Sequence, residues 1–186
     1  MRLYALCDQD MLEKRGVTLS SYIDIAKANG AEIIQYRNKS GDIEFIKKQL
    51  IYIRKHFDGF LIINDVYELV PFCDGVHVGQ EDLLKIDRDK KKAVHILRDV
   101  IGKDKILGIS THTKEEILEA NEMPLHYIGL GAYRDTTTKK DIANVLGKKL
   151  DMLASFSKHP VGAIGGVQKE DTFEHVTYHV IGSALL

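Results

Sequence analysis

Two cations and an amide alternate with other residues in the segment 35–39, which reads QYRNK. In an extended chain, positions i, i+2 and i+4 face the same way, so Gln35, Arg37 and Lys39 point to one side together. Two cations and an amide that converge on one spot suit an anionic ligand, and a diphosphate in particular. A strand that ends in a solvated loop would show the same spacing, so that alternative stays open.

Carboxylates follow two later apolar runs of the sequence. Asn64 and Asp65 come directly after the run 61–63, and Asp82 follows the run 75–78. A carboxylate next to a buried strand must be neutralised by a metal, a cation or a helix N-terminus. Mg²⁺ prefers one or two protein carboxylates with phosphate oxygens completing its shell, which two such residues at adjacent strand ends would provide. Taken singly, each residue is better explained as a helix cap.

Hydroxyl, lysine and glycine residues follow the remaining runs. A polar connection containing alternating threonines and a lysine is typical of a phosphate loop, although a flexible polar loop would look the same. Glycine lets the backbone approach a ligand closely. The candidate residues of this kind are Ser110, Thr136, Thr138, Lys139, Gly166 and Ser183.

Other reactive side chains give weaker signals. His77 is expected in the interior of the fold, first as a hydrogen-bonded core residue and only second as a catalytic one. Cys7 and Cys73 form no CxxC pair, which argues against a disulfide framework or a zinc site. The sequence contains no HExxH motif, P-loop or Ser/His/Asp arrangement, so acyl transfer and P-loop NTPase chemistry have no support.

Eight short apolar runs, many of them rich in β-branched residues, must position these side chains. Between them lie segments with helical periodicity, such as Ile46, Leu50 and Ile53, and the segments 65–72 and 168–175 allow only a short helix each. The runs are 3–7, 32–36, 60–63, 75–78, 106–109, 126–130, 161–164 and 179–181.

The alternation predicts a compact α/β fold, a (β/α)₈ TIM barrel that forms one domain over residues 1–186. A flavodoxin-like open sheet is the alternative and needs fewer strands. Polar, charged or glycine residues cluster after nearly every run, where barrel active sites form, and this favours the barrel.

The overall composition excludes several classes of partner. The net charge is −1, from 26 basic and 27 acidic residues, so nothing points to nucleic acid or a membrane surface. The N-terminus lacks the apolar run of a signal peptide, and no window approaches the ~18 apolar residues of a membrane span. We therefore expect a cytoplasmic protein that acts on small molecules.

Seven motifs in order resemble the thiamine-phosphate synthase family, which also contains the TenI-like thiazole tautomerases. The resemblance runs from Leu3 to about Leu186. The motifs are QYRNK (35–39), IIND (62–65), DGVHVGQEDL (74–83), GISTHT (108–113), TTTKKD (136–141), AIGG (163–166) and GSALL (182–186).

The resemblance implies a (β/α)₈ barrel that joins 4-amino-2-methylpyrimidine-5-methyl diphosphate to a thiazole phosphate and releases pyrophosphate. It implies that the pyrimidine diphosphate is held by Gln35, Arg37, Lys39 and Asn64, with Ser110 and Lys139 on the diphosphate. It implies that Asp65 and Asp82 ligate Mg²⁺. The thiazole-phosphate side would be lined by Thr136, Thr138, Gly166 and Ser183. Catalysis would rest on Arg37, Lys39, Ser110 and Lys139.

The sequence departs from the family pattern in three places. Arg134 adds a cation within the segment 132–135, where it either aids or distorts the phosphate pocket. The short segment 168–178 predicts a trimmed seventh helix. The end of the sequence at Leu186 predicts a missing or truncated eighth helix, and the apolar surface left there predicts a homodimer.

Two other functions remain as alternatives. Tautomerases of the family generally lose the Mg²⁺ carboxylates and carry a histidine soon after the sixth strand. Here Asp65 and Asp82 are present and Ala132 occupies that position, which favours the synthase. A non-catalytic phosphate-binding relative is the third possibility.

Overall fold

Eight parallel strands close into a barrel in chain order in the computed structural model, which describes residues 2–135 and 145–186. Closure is direct, because the last strand pairs with the first and Val180 lies opposite Tyr4. The predicted TIM barrel is therefore confirmed, and the open-sheet alternative is wrong. The strands are β1 (Arg2–Asp8), β2 (Ala31–Arg37), β3 (Phe60–Asn64), β4 (Gly75–Val78), β5 (Ile106–Thr111), β6 (Tyr127–Leu130), β7 (Val161–Ala163) and β8 (Tyr178–Ile181).

Helices surround the barrel, and none of those described is long and apolar enough to cross a bilayer. They are α1 (Gln9–Arg15), α2 (Leu19–Ala28), α3 (Ile43–His56), α4 (Gln80–Ile86), α5 (Lys90–Ile101), α6 (Lys114–Ala120) and α7 (Lys149–Ala154). Two 3₁₀ segments, Tyr67–Phe72 and Ser183–Leu185, complete the described elements. The first is the short helix expected after β3, and the second is a single turn where a truncated eighth helix was expected.

The helices follow from amphipathic patterns with caps. In α3, Ile46, Leu50 and Ile53 are buried on one face, and the Asp42 side chain accepts a hydrogen bond from the backbone amide of Phe45 at 2.8 Å. Such a cap satisfies one of the amide groups that a helix leaves unpaired at its start. The cap and the apolar face together therefore set both the start of the helix and the side that packs on the barrel.

The alternation of side chains along each strand separates two apolar clusters. Leu3, Ala5 and Cys7 of β1 face outward and belong to the large core between barrel and helices. Tyr4 faces inward and packs in a smaller cluster inside the barrel, together with inward residues of β2, β3, β6 and β8. Because side chains alternate with a period of two, Gln35 and Arg37 on β2 share the inward side with Ile33.

The seventh helix of the barrel pattern, expected in a trimmed form between β7 and β8, is reduced so far that the described residues there form no helix. A nonlocal ion pair orders this segment instead: the guanidinium of Arg134 donates to both carboxylate oxygens of Asp171 at 2.6 Å. The same guanidinium donates to the carbonyl oxygen of Gly166 at 2.7 Å. Arg134 therefore joins the loops after β6 and β7, and its charge is engaged by a carboxylate within the protein.

Close contact between β4 and β5 generates a stability prediction. A Cβ atom at Gly75 would lie 2.1 Å from the carbonyl oxygen of Ile106, which is part of the barrel ladder. We expect Gly75→Ala to destabilise the fold by roughly 1–3 kcal/mol, as overpacking does, and to lower the melting temperature by roughly 2–4 °C per kcal/mol. Thermal unfolding measures this. Gly182→Ala is the control, since its Cβ would meet Leu6 at an ordinary 3.8 Å, and equal losses in both variants would contradict the prediction.

Candidate active site at the carboxyl ends of the strands

The side chains predicted to bind a diphosphate lie at the carboxyl ends of neighbouring strands. Gln35 and Arg37 end β2, Asn64 ends β3 and Ser110 lies near the end of β5. Lys39 lies two residues beyond β2 and is exposed, and its positive charge acts on Asp65 at the end of β3. The barrel thus brings these residues to one sector of its mouth.

Arg37 is restrained by an ion pair with Asp8, its register partner at the end of β1. Only 12% of the Arg37 side chain and 4% of the Asp8 side chain are exposed, so the pair is shielded from solvent. Asp8 also accepts a hydrogen bond from the backbone amide of Met11 at 3.0 Å and caps α1. The guanidinium is therefore oriented before any ligand arrives. Sequence reasoning missed the role of Asp8, and its position at the end of β1 was the available signal.

Asp65 and Asp82 flank the backbone of Gly79. The amide of Gly79 donates to Asp65 Oδ1 at 3.3 Å, and a Cβ atom on Gly79 would lie 3.3 Å from Asp82 Oδ2. Burial raises the pKa of the Asp65 carboxyl, and the negative charge of Asp82 raises that pKa further. The two carboxylates are therefore near enough to repel each other.

Neighbouring groups hold these carboxylates in place. Asn64 Nδ2 donates to Asp65 Oδ2 at 2.5 Å, and Asp65 itself adopts a left-handed backbone with a φ of 63°. Lys85, which is exposed, donates to Asp82 Oδ1 at 2.6 Å. Asn64 thus orients the candidate metal ligand next to it in the chain.

The donor set at this point fits Mg²⁺. Within residues 2–135 and 145–186, no group of three histidine, cysteine or acidic side chains is placed to hold a metal. Two carboxylates with room for ligand oxygens are what Mg²⁺ uses with phosphate substrates, whereas zinc and calcium sites need more protein ligands. A divalent cation between Asp65 and Asp82 would also remove the repulsion that raises the pKa of Asp65.

Hydrogen bonds in the barrel interior fix the other polar members of the site. Gln35 Nε2 donates to the hydroxyl of Tyr4 at 2.6 Å. Ser110 Oγ lies 3.0 Å from His77 Nε2. His77 is buried inside the barrel and hydrogen-bonded, as expected from the sequence. The role of Tyr4 was not predicted, although it lies at an inward position next to Gln35.

Gly166 and Ser183 follow β7 and β8, across the barrel from β3 and β4. Gly165 and Gly166 both have positive φ values, 89° and 68°, and a Cβ atom on Gly165 would lie 2.6 Å from that of Ala132. This turn therefore requires glycine. The other predicted members of this side, Thr136, Thr138 and Lys139, lie outside the described residues.

Comparison with known proteins supports one family. The sequence model described as thiamine monophosphate synthase matches residues 3–186. A thiamine-phosphate synthase of Persephonella marina is 34% identical over 176 residues, which cover 92% of this chain and 79% of the relative. That of Lawsonia intracellularis is 36% identical over 95% of this chain and 79% of the relative.

Solved structures agree with this result. A thiamine phosphate pyrophosphorylase from Pyrococcus furiosus superposes with a TM-score of 0.77 at 25% identity, over 98% of this chain and 86% of that one. An N-acetylmannosamine-6-phosphate 2-epimerase from Clostridium perfringens, at a TM-score of 0.62 and 16% identity, shares the fold alone. With its matching motifs, barrel and strand-end residues, the chain belongs to the thiamine monophosphate synthase family.

Proposed function

We propose that this chain is a Mg²⁺-dependent thiamine-phosphate synthase, a transferase that joins 4-amino-2-methylpyrimidine-5-methyl diphosphate to thiazole phosphate and releases pyrophosphate. The observation that carries the proposal is the grouping of Asp65 and Asp82 in one sector of the barrel mouth with Arg37 and Lys39. Membership of a family whose relatives are thiamine-phosphate synthases supports the same reaction.

The reaction needs positive charge where the leaving diphosphate becomes more negative. Diphosphate departs from a benzylic-type carbon, and the thiazole nitrogen captures the pyrimidine-stabilised cation, so no protein nucleophile is required. Arg37, oriented by Asp8, and Lys39 at the rim are placed to stabilise the departing group. A preorganised contact of this kind lowers a barrier by about 3 kcal/mol.

Asp65 and Asp82 would hold the Mg²⁺ ion of this proposal. Bound Mg²⁺ supplies a Lewis acid that neutralises charge on the diphosphate oxygens. Asn64 keeps Asp65 oriented, and the amide of Gly79 fixes one of its oxygens. The protein itself therefore contributes a preformed pair of ligands to the metal site.

The second substrate would bind on the opposite side of the mouth. The glycine turn at Gly165 and Gly166 allows a phosphate to approach the backbone, and Ser183 offers a hydroxyl after β8. Loops after strands seven and eight commonly form the phosphate site of barrel enzymes. A cytoplasmic location, a homodimer and the absence of nucleic-acid and membrane partners stay predictions from the sequence.

Pyrophosphate release tests the proposed reaction directly. Purified protein with both substrates and Mg²⁺ is expected to release pyrophosphate and form thiamine phosphate, with no reaction in EDTA or with either substrate omitted. Thiazole isomerisation without pyrophosphate release would instead identify a tautomerase. Metal-dependent diphosphate binding without turnover would identify a non-catalytic relative.

Asp82→Asn tests the metal assignment. Removal of one carboxylate ligand is expected to lower the turnover rate by roughly a hundredfold, as the loss of a charge-stabilising group does. Asp87→Asn is the matched control, because Asp87 is the C-cap residue that follows the same helix, α4, and it pairs with Lys92 at the end of the helix opposite Asp82. Equal rates for wild type and Asp82→Asn would refute the role of this carboxylate.

The thermal stability of Asp65→Asn tests whether the carboxylates of Asp65 and Asp82 repel each other. Because burial and Asp82 raise the pKa of Asp65, the folded protein binds this proton more tightly than the unfolded chain. Metal-free stability is thus lost as pH rises from about 4 through the raised folded-state pKa. Without Mg²⁺ we expect Asp65→Asn to melt at a higher temperature than wild type at about pH 7.5, and the difference to vanish near pH 3.

Mg²⁺ itself provides the control for that measurement. At about ten times its Kd, the ion should raise the melting temperature of the wild type by roughly 3–6 °C. Asp65→Asn should show almost no such rise, since it has lost a ligand. If the metal-free wild type has a higher melting temperature than Asp65→Asn at neutral pH, this result would contradict the repulsion between Asp65 and Asp82.

A further inference from the structure

A chain of hydrogen bonds crosses the interior of the barrel and links five side chains from five strands. Gln35 Nε2 donates to the Tyr4 hydroxyl at 2.6 Å, and the Tyr4 and Tyr127 hydroxyls are 2.8 Å apart. The Tyr127 hydroxyl lies 2.9 Å from His77 Nδ1, and His77 Nε2 lies 3.0 Å from Ser110 Oγ. The chain therefore joins two of the residues assigned to substrate binding, Gln35 and Ser110.

The strands of the barrel pack closely around this chain of hydrogen-bonded side chains. A Cβ atom on Gly108 would lie 2.2 Å from Cζ of Tyr127, and one on Gly129 would lie 3.1 Å from Cε1 of His77. The rings of His77 and Tyr127 stack with centroids 5.5 Å apart. Glycines at these inward positions thus leave room for the two rings and hold them in place.

The two phenols remain protonated at any physiological pH. Burial raises the pKa of both Tyr4 and Tyr127 above that of an ordinary tyrosine. Each hydroxyl consequently has one proton to donate and accepts in return. The number of protons on the two tyrosine hydroxyls is therefore fixed, and the direction in which each is donated remains to be determined.

The donor at Gln35 sets that direction. Since the Tyr4 oxygen accepts from Gln35, its own proton goes to the Tyr127 oxygen, and the Tyr127 proton goes to His77 Nδ1. A neutral imidazole that accepts at Nδ1 carries its hydrogen on Nε2 and donates it to Ser110. The reverse direction would leave the buried Tyr4 proton facing the amide donor of Gln35, which costs free energy.

We propose that Tyr4 and Tyr127 are positioning residues that hold His77 in its Nε2–H tautomer, so that the hydroxyl proton of Ser110 is directed to an oxygen of the bound substrate. Ser110 Oγ accepts from His77 and must donate elsewhere. The Ser110 backbone is also fixed, because Gln80 Nε2 donates to its carbonyl oxygen at 2.6 Å. The assignment of a diphosphate oxygen as the recipient of this proton rests on the proposed function. The assignment of the His77 tautomer does not depend on that function.

The tautomer is measured by ¹⁵N resonances of histidine-labelled protein without substrates, at about pH 8, above the ordinary imidazole pKa of about 6.5. The His77 signals are assigned by their loss in His77→Asn. We expect a protonated-type resonance at Nε2 and an unprotonated-type resonance at Nδ1. In Tyr127→Phe, which removes the donor to Nδ1, the two resonances should move toward each other. An Nδ1–H tautomer in the wild type would overturn the proposal.

Tyr22→Phe is the matched control for this spectrum. Tyr22 is fully buried like Tyr4, and its hydroxyl has no hydrogen-bond partner among the described residues. We expect the His77 resonances of this variant to match those of the wild type. Should Tyr127→Phe fail to fold, Gln35→Glu replaces the donor at the start of the hydrogen-bond chain with an acceptor. The direction should then reverse and the Nδ1–H tautomer should be favoured, and an unchanged spectrum in Gln35→Glu would overturn the proposal.

Kinetics on the synthase reaction separate positioning from a general loss of structure. We expect Tyr127→Phe to lower kcat about tenfold, the effect of one misdirected hydrogen bond, with a smaller change in KM. In a Ser110→Ala background the same substitution should have almost no further effect, because the group that it positions is gone. Additive losses in the double variant would overturn the proposal. A wild type without turnover would refute the synthase function and leave the tautomer measurement valid.

Discussion

Closure of the barrel is the constraint on which the site depends. Once β8 pairs with β1, no strand has a free edge, and every second residue of every strand must point into one enclosed space. A shift by one residue would move Gln35 and Arg37 to the helix layer and bring Ile34 and Tyr36 inside. The apolar residues that pack against the helices therefore also determine which polar residues reach the mouth.

The interior then imposes its own requirement on those polar groups. A buried polar atom is costly unless it is hydrogen-bonded, and a buried charge is costly unless it is paired. Gln35 meets this requirement through Tyr4, and Arg37 meets it through Asp8. The same contacts that make burial tolerable also fix each group in one orientation, so the stability of the interior and the preorganisation of the site have one physical origin.

Sequence patterns predicted what depends on neighbours along the chain, and missed what depends on distant partners. The alternation within QYRNK placed Gln35 and Arg37 inward, because the side-chain period of a strand is local. The restraint of Arg37 by Asp8 was missed, since the partners lie 29 positions apart. The complete loss of a helix before β8, where the sequence had indicated a short one, was not predicted for a similar reason: Asp171 bonds to Arg134, 37 positions away. Helices α1 and α4 could not be recognised from periodicity, because each has only seven residues, which are too few to show a helical period.

The carboxylate pair of Asp65 and Asp82 carries a local cost in the stability of the fold. Asp65 lies in a left-handed backbone conformation that few residues other than glycine adopt, and its carboxylate is partly buried beside the charge of Asp82. An asparagine at position 65 would suit the same backbone without the repulsion, and its single amide oxygen would keep one of the two hydrogen bonds that Asp65 accepts. Local costs of this kind cluster at functional sites, where a ligand offsets them. On the proposed function, a dication with a diphosphate would match the charges of this site, since it would neutralise the aspartates and bring anionic oxygens to Arg37 and Lys39.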